Sequence, residues 1–462
     1  MIRTLERLIF VGLLAAVFLA PWMFGAVEPW AIHALTAVLL VLLLLWGVKA
    51  VLERALRIHP TAIHGVLLGA LLVAAIQIAR APSPTSEVRS AASVVVDASG
   101  TGSALVASAR GSQDPPGTRR AMWRLALLIG YFGLARELLR GTRRLAGAFV
   151  VLMLLGVLLS LVGLIQKFSG TGRLLWIREV DAAEIAFGPF VNRNHAAGFL
   201  ELLFPLPVAL ILAQGVSRER WGLCGVLAFV LGTAIALTGS RGGVLVLGAE
   251  LLALPLLWRA MNAGSGRDVR SGAILTATVG AGIVLGVLWI GAEPIASRWR
   301  TIEGVSAALS DPLNRPMIWR ATWDMIRDHF WWGVGLGAYP VAYTRYDRSA
   351  GLSRVEHAHN DYLHLVAELG VWGIALLLGF VIAVWRAIRR ALHRTEHRLA
   401  ARWERALALG VTVALIGMGI HSAFESNLQV TANALLLLFL IALLENLGAR
   451  GADRRLIEER RI

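Results

Sequence analysis

A short segment near residue 360 brings together side chains that can move protons or bind anions. Within residues 357–364 these are His357, His359, Asn360, Asp361, Tyr362 and His364. An imidazole can act as a general base or donate a hydrogen bond to phosphate. If the segment is extended, His357 and His359 point to the same side. A metal site with His364 or Asp361 as third ligand is an alternative, although the spacing matches no standard zinc motif.

A glycine-rich turn around Arg241 is the second candidate site. If the chain spans a membrane, as argued below, we expect Arg241 to be buried near bilayer depth, where its planar guanidinium suits a phosphate. Gly242 and Gly243 allow that phosphate to approach the N–H groups at the start of a helix. The alternatives are an arginine that extends to the interface, or one that pairs with Glu201.

Two further segments carry polar residues at expected helix ends. Residues 192–195 read Asn-Arg-Asn-His, which suits a helix N-cap and an anionic or polyhydroxylated ligand. His421 and Glu425 are one helical turn apart, so a mutual pair at a helix end is the simplest interpretation.

The composition indicates a membrane protein. Hydrophobic residues make up 57% of the chain and charged residues only 16%, the mean hydropathy is +0.66, and a soluble domain is about 25% charged. The net charge of +15 comes from arginines spread through short connections, which favours a topology signal over nucleic-acid binding. The single cysteine, Cys224, excludes an intrachain disulfide and a cysteine-based metal site.

The apolar runs predict an all-α polytopic membrane protein with about twelve transmembrane helices. The spans are expected at 8–27, 32–48, 61–79, 121–135, 145–166, 195–215, 221–239, 242–258, 272–291, 364–385, 406–424 and 430–447. Every second short connection is basic, which predicts cytoplasmic termini and long loops on the opposite face. That topology places the four polar segments on one face.

The expected organisation is a transmembrane bundle over 1–291, a helical subdomain over 292–363 on the outer face, spans 10–12 over 364–447 and a basic cytoplasmic tail over 448–462. A Ser-, Gly- and Pro-rich loop at 80–120 within the first part is expected to be mobile and on the outer face.

The outer subdomain is predicted to contain a helix that starts at Asn314-Arg315-Pro316 and runs to about Phe330. Arg320 lies on it, and Asp324, four residues later, is expected to tether its guanidinium. The following Gly-x-Gly-x-Gly run lacks the spacing of a dinucleotide fingerprint and favours a turn with close backbone approach.

Together these segments resemble the O-antigen ligase and O-antigen polymerase superfamily. The resemblance rests on Val355–Leu363, Ala367–Gly370, Gly333–Tyr339, Ser240–Gly243, Asn192–His195 and His421–Asn433, and it covers about residues 120–447. In the last of these segments Ser426 and Thr431 stand where the family pattern has an aromatic residue and a proline.

The resemblance implies a GT-C-type glycosyltransferase in the bacterial inner membrane with its active site facing the periplasm. Such enzymes transfer a glycan from undecaprenyl diphosphate to a sugar hydroxyl, on lipid A core for a ligase or on a lipid-linked glycan for a polymerase. The expected partners are therefore that donor, that acceptor and membrane lipid. No metal and no cofactor are expected, since arginines can neutralise a diphosphate leaving group.

The residue roles follow from this chemistry. Arg241 is expected to bind the diphosphate, helped by Arg320 and Arg193. His359 is expected to be the base or a donor to phosphate, with His357 as runner-up and Glu425 as the alternative base or an orienting residue. The residues expected to orient loops or contact the acceptor are Asn360, Asp361, Asn192, Asn194 and His421.

A polysaccharide or lipid-carrier transporter is the alternative from another functional class. Transporters place polar residues near the midplane, often on broken helices in matched repeats. Here the polar residues gather at one predicted face and no repeat is detectable, which favours the transferase.

Overall fold

The computed structural model describes residues 1–56, 58–81, 111–169, 173–179, 186–262, 270–290, 314–348, 354–396 and 402–449. These ranges are almost wholly helical. The helices are α1 (Ile2–Leu19), α2 (Pro29–Glu53), α3 (Ala62–Ala79), α4 (Pro115–Leu138), α5 (Thr142–Ser169), α6 (Arg193–Glu201), α7 (Pro205–Leu212), α8 (Trp221–Leu237), α9 (Arg241–Met261), α10 (Arg270–Ile290), α11 (Arg315–Asp328), α12 (Tyr339–Tyr343), α13 (Asp361–Leu369), α14 (Val371–Glu396), α15 (Arg402–His421) and α16 (Thr431–Ala449). Two short strands, β1 (Arg173–Leu174) and β2 (Arg178–Glu179), pair antiparallel.

The all-α polytopic fold is confirmed, and within the described ranges ten helical segments are long and apolar enough to span a membrane. The continuous segment Arg193–Leu212, made of α6 and α7, is one of them. The other two of the twelve expected spans, 8–27 and 121–135, fall on α1 and α4. Both helices carry several charged side chains, which keeps them outside this group.

Three expected spans or loops differ clearly in their bounds. The span expected at 364–385 is divided at Gly370 between α13 and α14, and the membrane-spanning helix begins at Val371. The expected span at 8–27 is interrupted because α1 ends at Leu19, just before Pro21, and a 3₁₀ turn follows at Phe24–Ala26. Helix α4 begins at Pro115, inside the segment that was expected to form the loop at 80–120. Residues 82–110 of that loop lie outside the described ranges.

The charges of α1 have a structural explanation. Glu6 accepts hydrogen bonds from Lys49 on α2 at 2.7 Å and from Arg144 on α5 at 2.6 Å. The carboxylate therefore ties three helices together at their basic ends.

The chain divides into two compact units, of which the first comprises Met1–Pro60, Gly130–Glu303 and Ile382–Ile462. At its centre α15 packs against α7 and α9, while α8 packs against α5, α7 and α10. Helix α16 is buried along nearly its whole length. Helix α2, by contrast, exposes a series of leucines and valines, as expected for a surface that faces lipid.

The second unit comprises Thr61–Ile129 and Gly304–Val381. Helix α11 packs against α12 and α13 around a small apolar core. That core contains Ile318, Ala321, Met325, Ile326, Val334, Tyr339, Tyr343, Ala358 and Ala367. The N-cap prediction for α11 is confirmed, since the Asn314 side chain accepts a hydrogen bond from the Met317 N–H at 3.0 Å.

Candidate functional site

Each unit contains one cluster of the polar residues that the sequence singled out. The arginine-turn cluster, in the first unit, consists of Asn192, Arg193, Asn194, Glu201, Arg241, His421 and Glu425. The histidine cluster, in the second unit, consists of Arg124, His357, His359, Asn360, Asp361, His364 and Glu368.

Arg241 is the first residue of α9, and its side chain is exposed rather than buried as expected. The Ser240 hydroxyl caps the helix by accepting a hydrogen bond from the Gly243 N–H at 3.1 Å, and the Ser240 N–H donates to the Thr238 hydroxyl at 3.1 Å. The first N–H groups of a helix lack intrahelical acceptors and carry partial positive charge. An exposed guanidinium at such an end is well placed to bind an anion.

A buried histidine–glutamate pair packs against the inner side of this turn. His421 Nδ1 lies 2.8 Å from a carboxylate oxygen of Glu201, and both side chains are almost completely buried. His421 was expected to pair with Glu425, and Glu201 was considered as a partner of Arg241. The structure pairs His421 with Glu201 instead, because α6 and α15 pack side by side in the interior.

The two glycines after Arg241 make room for this pair. A Cβ atom on Gly242 would lie 2.9 Å from His421 Nε2, and one on Gly243 would lie 3.3 Å from a Glu201 oxygen and 2.8 Å from the Ala197 Cβ. The sequence suggested that these glycines admit a phosphate. The structure gives them a packing role directly behind the arginine.

The Glu425 carboxylate is bound to the start of α6 and to its own segment. Its carboxylate accepts hydrogen bonds from the Asn194 side-chain amide at 2.5 Å and from the Ser426 N–H at 3.1 Å. Asn192 caps α6 by accepting from the Asn194 N–H at 2.9 Å, and Arg193 follows as the first residue of that helix, partly buried. Glu425 therefore fixes the start of α6, which favours its orienting role over that of a base.

The loop that carries the histidines is held at both ends. Trp319 on α11 donates its indole N–H to the Ala358 carbonyl at 2.9 Å. The Asn360 side chain caps α13 by accepting from the N–H groups of Tyr362 and Leu363, both at 3.0 Å. Between these two residues, His359 has a φ of +48°, a backbone conformation that residues other than glycine rarely adopt. This left-handed conformation replaces the extended one in which His357 and His359 would point to the same side.

His364 forms the buried floor of the histidine cluster. Its Nδ1 accepts from the Ala358 N–H at 3.4 Å, and its Nε2 lies 3.2 Å from a Glu368 carboxylate oxygen. The Tyr339 ring stacks on the imidazole with 4.5 Å between centroids, and the His357 ring lies 5.5 Å away. Both ring nitrogens of His364 are thus engaged within the protein, so the metal hypothesis loses its third imidazole.

Asp361 and Glu368 are buried carboxyl groups on α13. Arg124 on α4 interacts electrostatically with both of them. This arginine was not identified from the sequence, because its partners lie far away along the chain.

The glycine run after α11 forms the turn that the sequence predicted. Gly333, Gly335 and Gly337 have φ values of +66°, +111° and +75°. A Cβ on Gly333 would lie 2.2 Å from the Glu368 carbonyl oxygen, so the backbone approach requires glycine. The Gln77 side chain of α3 donates to the Glu368 carbonyl at 2.8 Å and accepts from the Leu336 N–H at 3.0 Å.

Arg320 lies exposed on α11, but the expected tether is wrong. Asp324 pairs with Arg348 at 2.9 Å instead. Within the described residues Arg320 has no hydrogen bond or ion pair, so its guanidinium is available to a ligand.

Comparison with known proteins identifies the central part of the chain. Residues 226–378 match the family model described as O-antigen ligase. This segment is similar to the O-antigen ligase family. The match confirms the resemblance seen in the sequence, and no curated protein matches the chain. The O-antigen ligase domain includes Arg241, Arg320 and the histidine cluster from His357 to Glu368, whereas Asn192, Arg193, Asn194, His421 and Glu425 lie outside the matched range.

In addition to Arg124, sequence reasoning missed three supporting residues of the O-antigen ligase domain and its surroundings. Glu368 stands four residues after His364, a spacing that indicates a pair on one helical face. Gln77 is a polar residue within an otherwise apolar run, which signals a buried hydrogen-bonding role. Trp319 gave no such signal, because its contact with Ala358 depends on the fold.

Proposed function

We propose that this protein transfers a glycan from undecaprenyl diphosphate to a sugar hydroxyl at the periplasmic face of the inner membrane. The observation that carries the proposal is the exposed Arg241 at the start of α9, on a turn supported by the buried His421–Glu201 pair. The family match supports ligase or polymerase chemistry in general. The acceptor is a sugar of lipid A core for a ligase, or of a second lipid-linked glycan for a polymerase.

In this proposal the arginines stabilise the leaving group. The bond between the anomeric carbon and the diphosphate oxygen breaks, and negative charge grows on that oxygen. Arg241 binds the diphosphate in the ground state and more strongly in the transition state, with Arg320 and Arg193 as further cations. A guanidinium can bind two phosphate oxygens at once, which also fixes the orientation of the donor.

The proton of the attacking hydroxyl passes to an imidazole. The acceptor oxygen attacks the anomeric carbon from the side opposite the diphosphate, so the transfer inverts that centre in one displacement. His359 takes the proton, because it lies partly exposed on a loop fixed by Trp319 and Asn360. His357 is the alternative base, while Glu425 and Asp361 act as orienting residues.

The direct test is a reconstituted reaction. Purified protein in nanodiscs is supplied with lipid-linked donor and either lipid A core or a second lipid-linked glycan, and products are separated by mass. Product with the first acceptor alone identifies a ligase, and chain extension of the second identifies a polymerase. Movement of intact donor across a sealed bilayer without any new glycosidic bond would instead support the transporter.

The same reaction tests metal independence. Because cationic side chains neutralise the diphosphate, we expect the initial rate to be unchanged in excess EDTA. Loss of the rate on chelation, followed by recovery with zinc or magnesium, would assign His357, His359 and Asp361 to a metal site and contradict this part of the proposal.

A further inference from the structure

The exposed face of α11 combines arginines with aromatic side chains. Arg320, Trp323 and Arg327 recur at the spacing of one helical face, and Phe330 and Trp331 continue from the end of the helix. Trp323 is 53% exposed, Phe330 41% and Trp331 70%. The opposite face of α11 packs into the core of the second unit.

The two arginines of this face form no ion pair within the described residues. Two acidic residues of α11 have partners elsewhere, since Asp324 pairs with Arg348 at 2.9 Å and Asp328 accepts a hydrogen bond from Tyr346 at 2.8 Å. Arg320 and Arg327 have no hydrogen bond or ion pair in the described part of the chain. The face therefore offers two guanidinium groups to an anionic partner.

The end of this face is joined to the ends of two membrane-spanning helices. The Phe330 carbonyl accepts a hydrogen bond from the N–H of Val371, the first residue of α14, at 2.8 Å. Trp332 lies between the Trp372 ring, 5.8 Å away, and the guanidinium of Arg80, 4.2 Å away, just beyond the end of α3. Residues 330–332 therefore lie at the ends of two helices that are long and apolar enough to span a membrane.

We propose that the exposed face of α11 is a lipid headgroup-binding surface. Trp323, Phe330 and Trp331 enter the interfacial layer of the bilayer, where amphipathic aromatic rings are most stable. Arg327 binds the phosphate of an anionic headgroup. Arg327 and the three aromatic residues take no part in the proposed transfer reaction, so this surface does not depend on it.

The depth of this face can be measured directly. In a Cys224→Ser background, a nitroxide label is attached at Trp323→Cys in nanodiscs that contain phosphatidylglycerol, and its collisions with oxygen and with a water-soluble nickel chelate are compared. A label at Glu356→Cys, whose native side chain is exposed, is the control. We expect the label at position 323 to collide mainly with oxygen, which concentrates in the bilayer. The label at position 356 should collide mainly with the water-soluble chelate.

Two results of this experiment would contradict the proposal. Chelate collisions at position 323 equal to those at position 356 would overturn the proposal. Protection that appears only after addition of a soluble glycan would overturn it in favour of a sugar-binding face. If Trp323→Cys does not fold, a label at Trp331→Cys carries the same expectation and the same contradicting result.

The charge component has its own test. Delipidated protein in detergent is titrated with phosphatidylglycerol, and with phosphatidylcholine as the neutral probe. We expect Arg327→Gln to weaken the binding of phosphatidylglycerol by about fivefold, the effect of one arginine at an anionic surface. Arg354→Gln, which removes an exposed arginine from another segment, should have no effect. An equal loss in both variants, or no loss in Arg327→Gln, would contradict the proposal.

Discussion

At the scale of single residues, the backbone at His359 is held in an unfavourable conformation by hydrogen bonds from its neighbours. His359 adopts a left-handed conformation with φ of +48°, which costs a residue with a Cβ atom about 1–2 kcal/mol. The Ala358 carbonyl bond to Trp319 and the Asn360 cap on either side maintain it. Strain of this kind persists where the surrounding structure imposes it, which is common at functional sites.

Gly242 provides the test of the turn behind Arg241. Gly242→Ala places a Cβ 2.9 Å from Nε2 of His421, and His421 cannot move easily because Glu201 holds it. We expect a loss of about 1–3 kcal/mol of stability and a clear loss of transfer rate, measured by thermal unfolding and by the reconstituted reaction.

The matched control lies on the same helix. A Cβ atom on Gly248 would have no neighbouring atom within 4 Å, so Gly248→Ala should be neutral or stabilise α9 by up to about 1 kcal/mol. If Gly242→Ala behaves like Gly248→Ala in both measurements, the His421–Glu201 pair does not support the turn.

At the scale of elements, local signals predicted structure well and long-range partners poorly. Asn314 and Asn192 were expected to cap helices and do so, because a cap depends on neighbours within three residues. The partners of Asp324, His421 and Glu425 were not predicted correctly. Sequence spacing favours a partner one turn away, whereas each of these side chains finds one on a different segment through tertiary packing.

His329, at the C-terminal end of α11, gives this element a pH dependence. Burial lowers the pKa of His329 below its ordinary value, and its Nε2 accepts a hydrogen bond from the Gln113 amide at 3.0 Å when the ring is neutral. The unfolded chain therefore binds the proton first as pH falls. The stabilisation is present above about pH 6.5 and is lost as pH falls towards the lowered pKa.

The measurement is the unfolding free energy of the wild type and of His329→Gln in detergent, at about pH 7.5 and about pH 5. We expect the wild type to lose more stability than the variant on acidification. Equal losses would show that His329 does not contribute to the pH dependence.

At the scale of the whole molecule, apolar run length and charge placement predicted the membrane fold. They could not show that α1 stops before Pro21 or that α4 starts at Pro115, since apolar runs locate helices better than they locate helix ends. The division of the chain at 292 and 364, and the sidedness of its loops, remain predictions from the positive-inside pattern.

Sidedness can be measured with single cysteines in a Cys224→Ser background. Thr344, after α12, and Ser217, between α7 and α8, are both exposed. We expect a membrane-impermeant thiol reagent to label Thr344→Cys in cells with an intact inner membrane, and Ser217→Cys only after that membrane is permeabilised. The reverse pattern would place the candidate site in the cytoplasm.

The central claim is that Arg241 binds the diphosphate and that His359 takes the proton. It is tested most directly by measuring both donor affinity and turnover in variants of each residue. Arg241→Lys keeps the charge but loses the two-point contact, so donor affinity and turnover should both fall. His359→Gly accepts the left-handed backbone while removing the imidazole, so turnover should fall by about 10²–10⁴-fold with donor affinity little changed. Full activity of Arg241→Lys, or near-full turnover of His359→Gly, would contradict the claim.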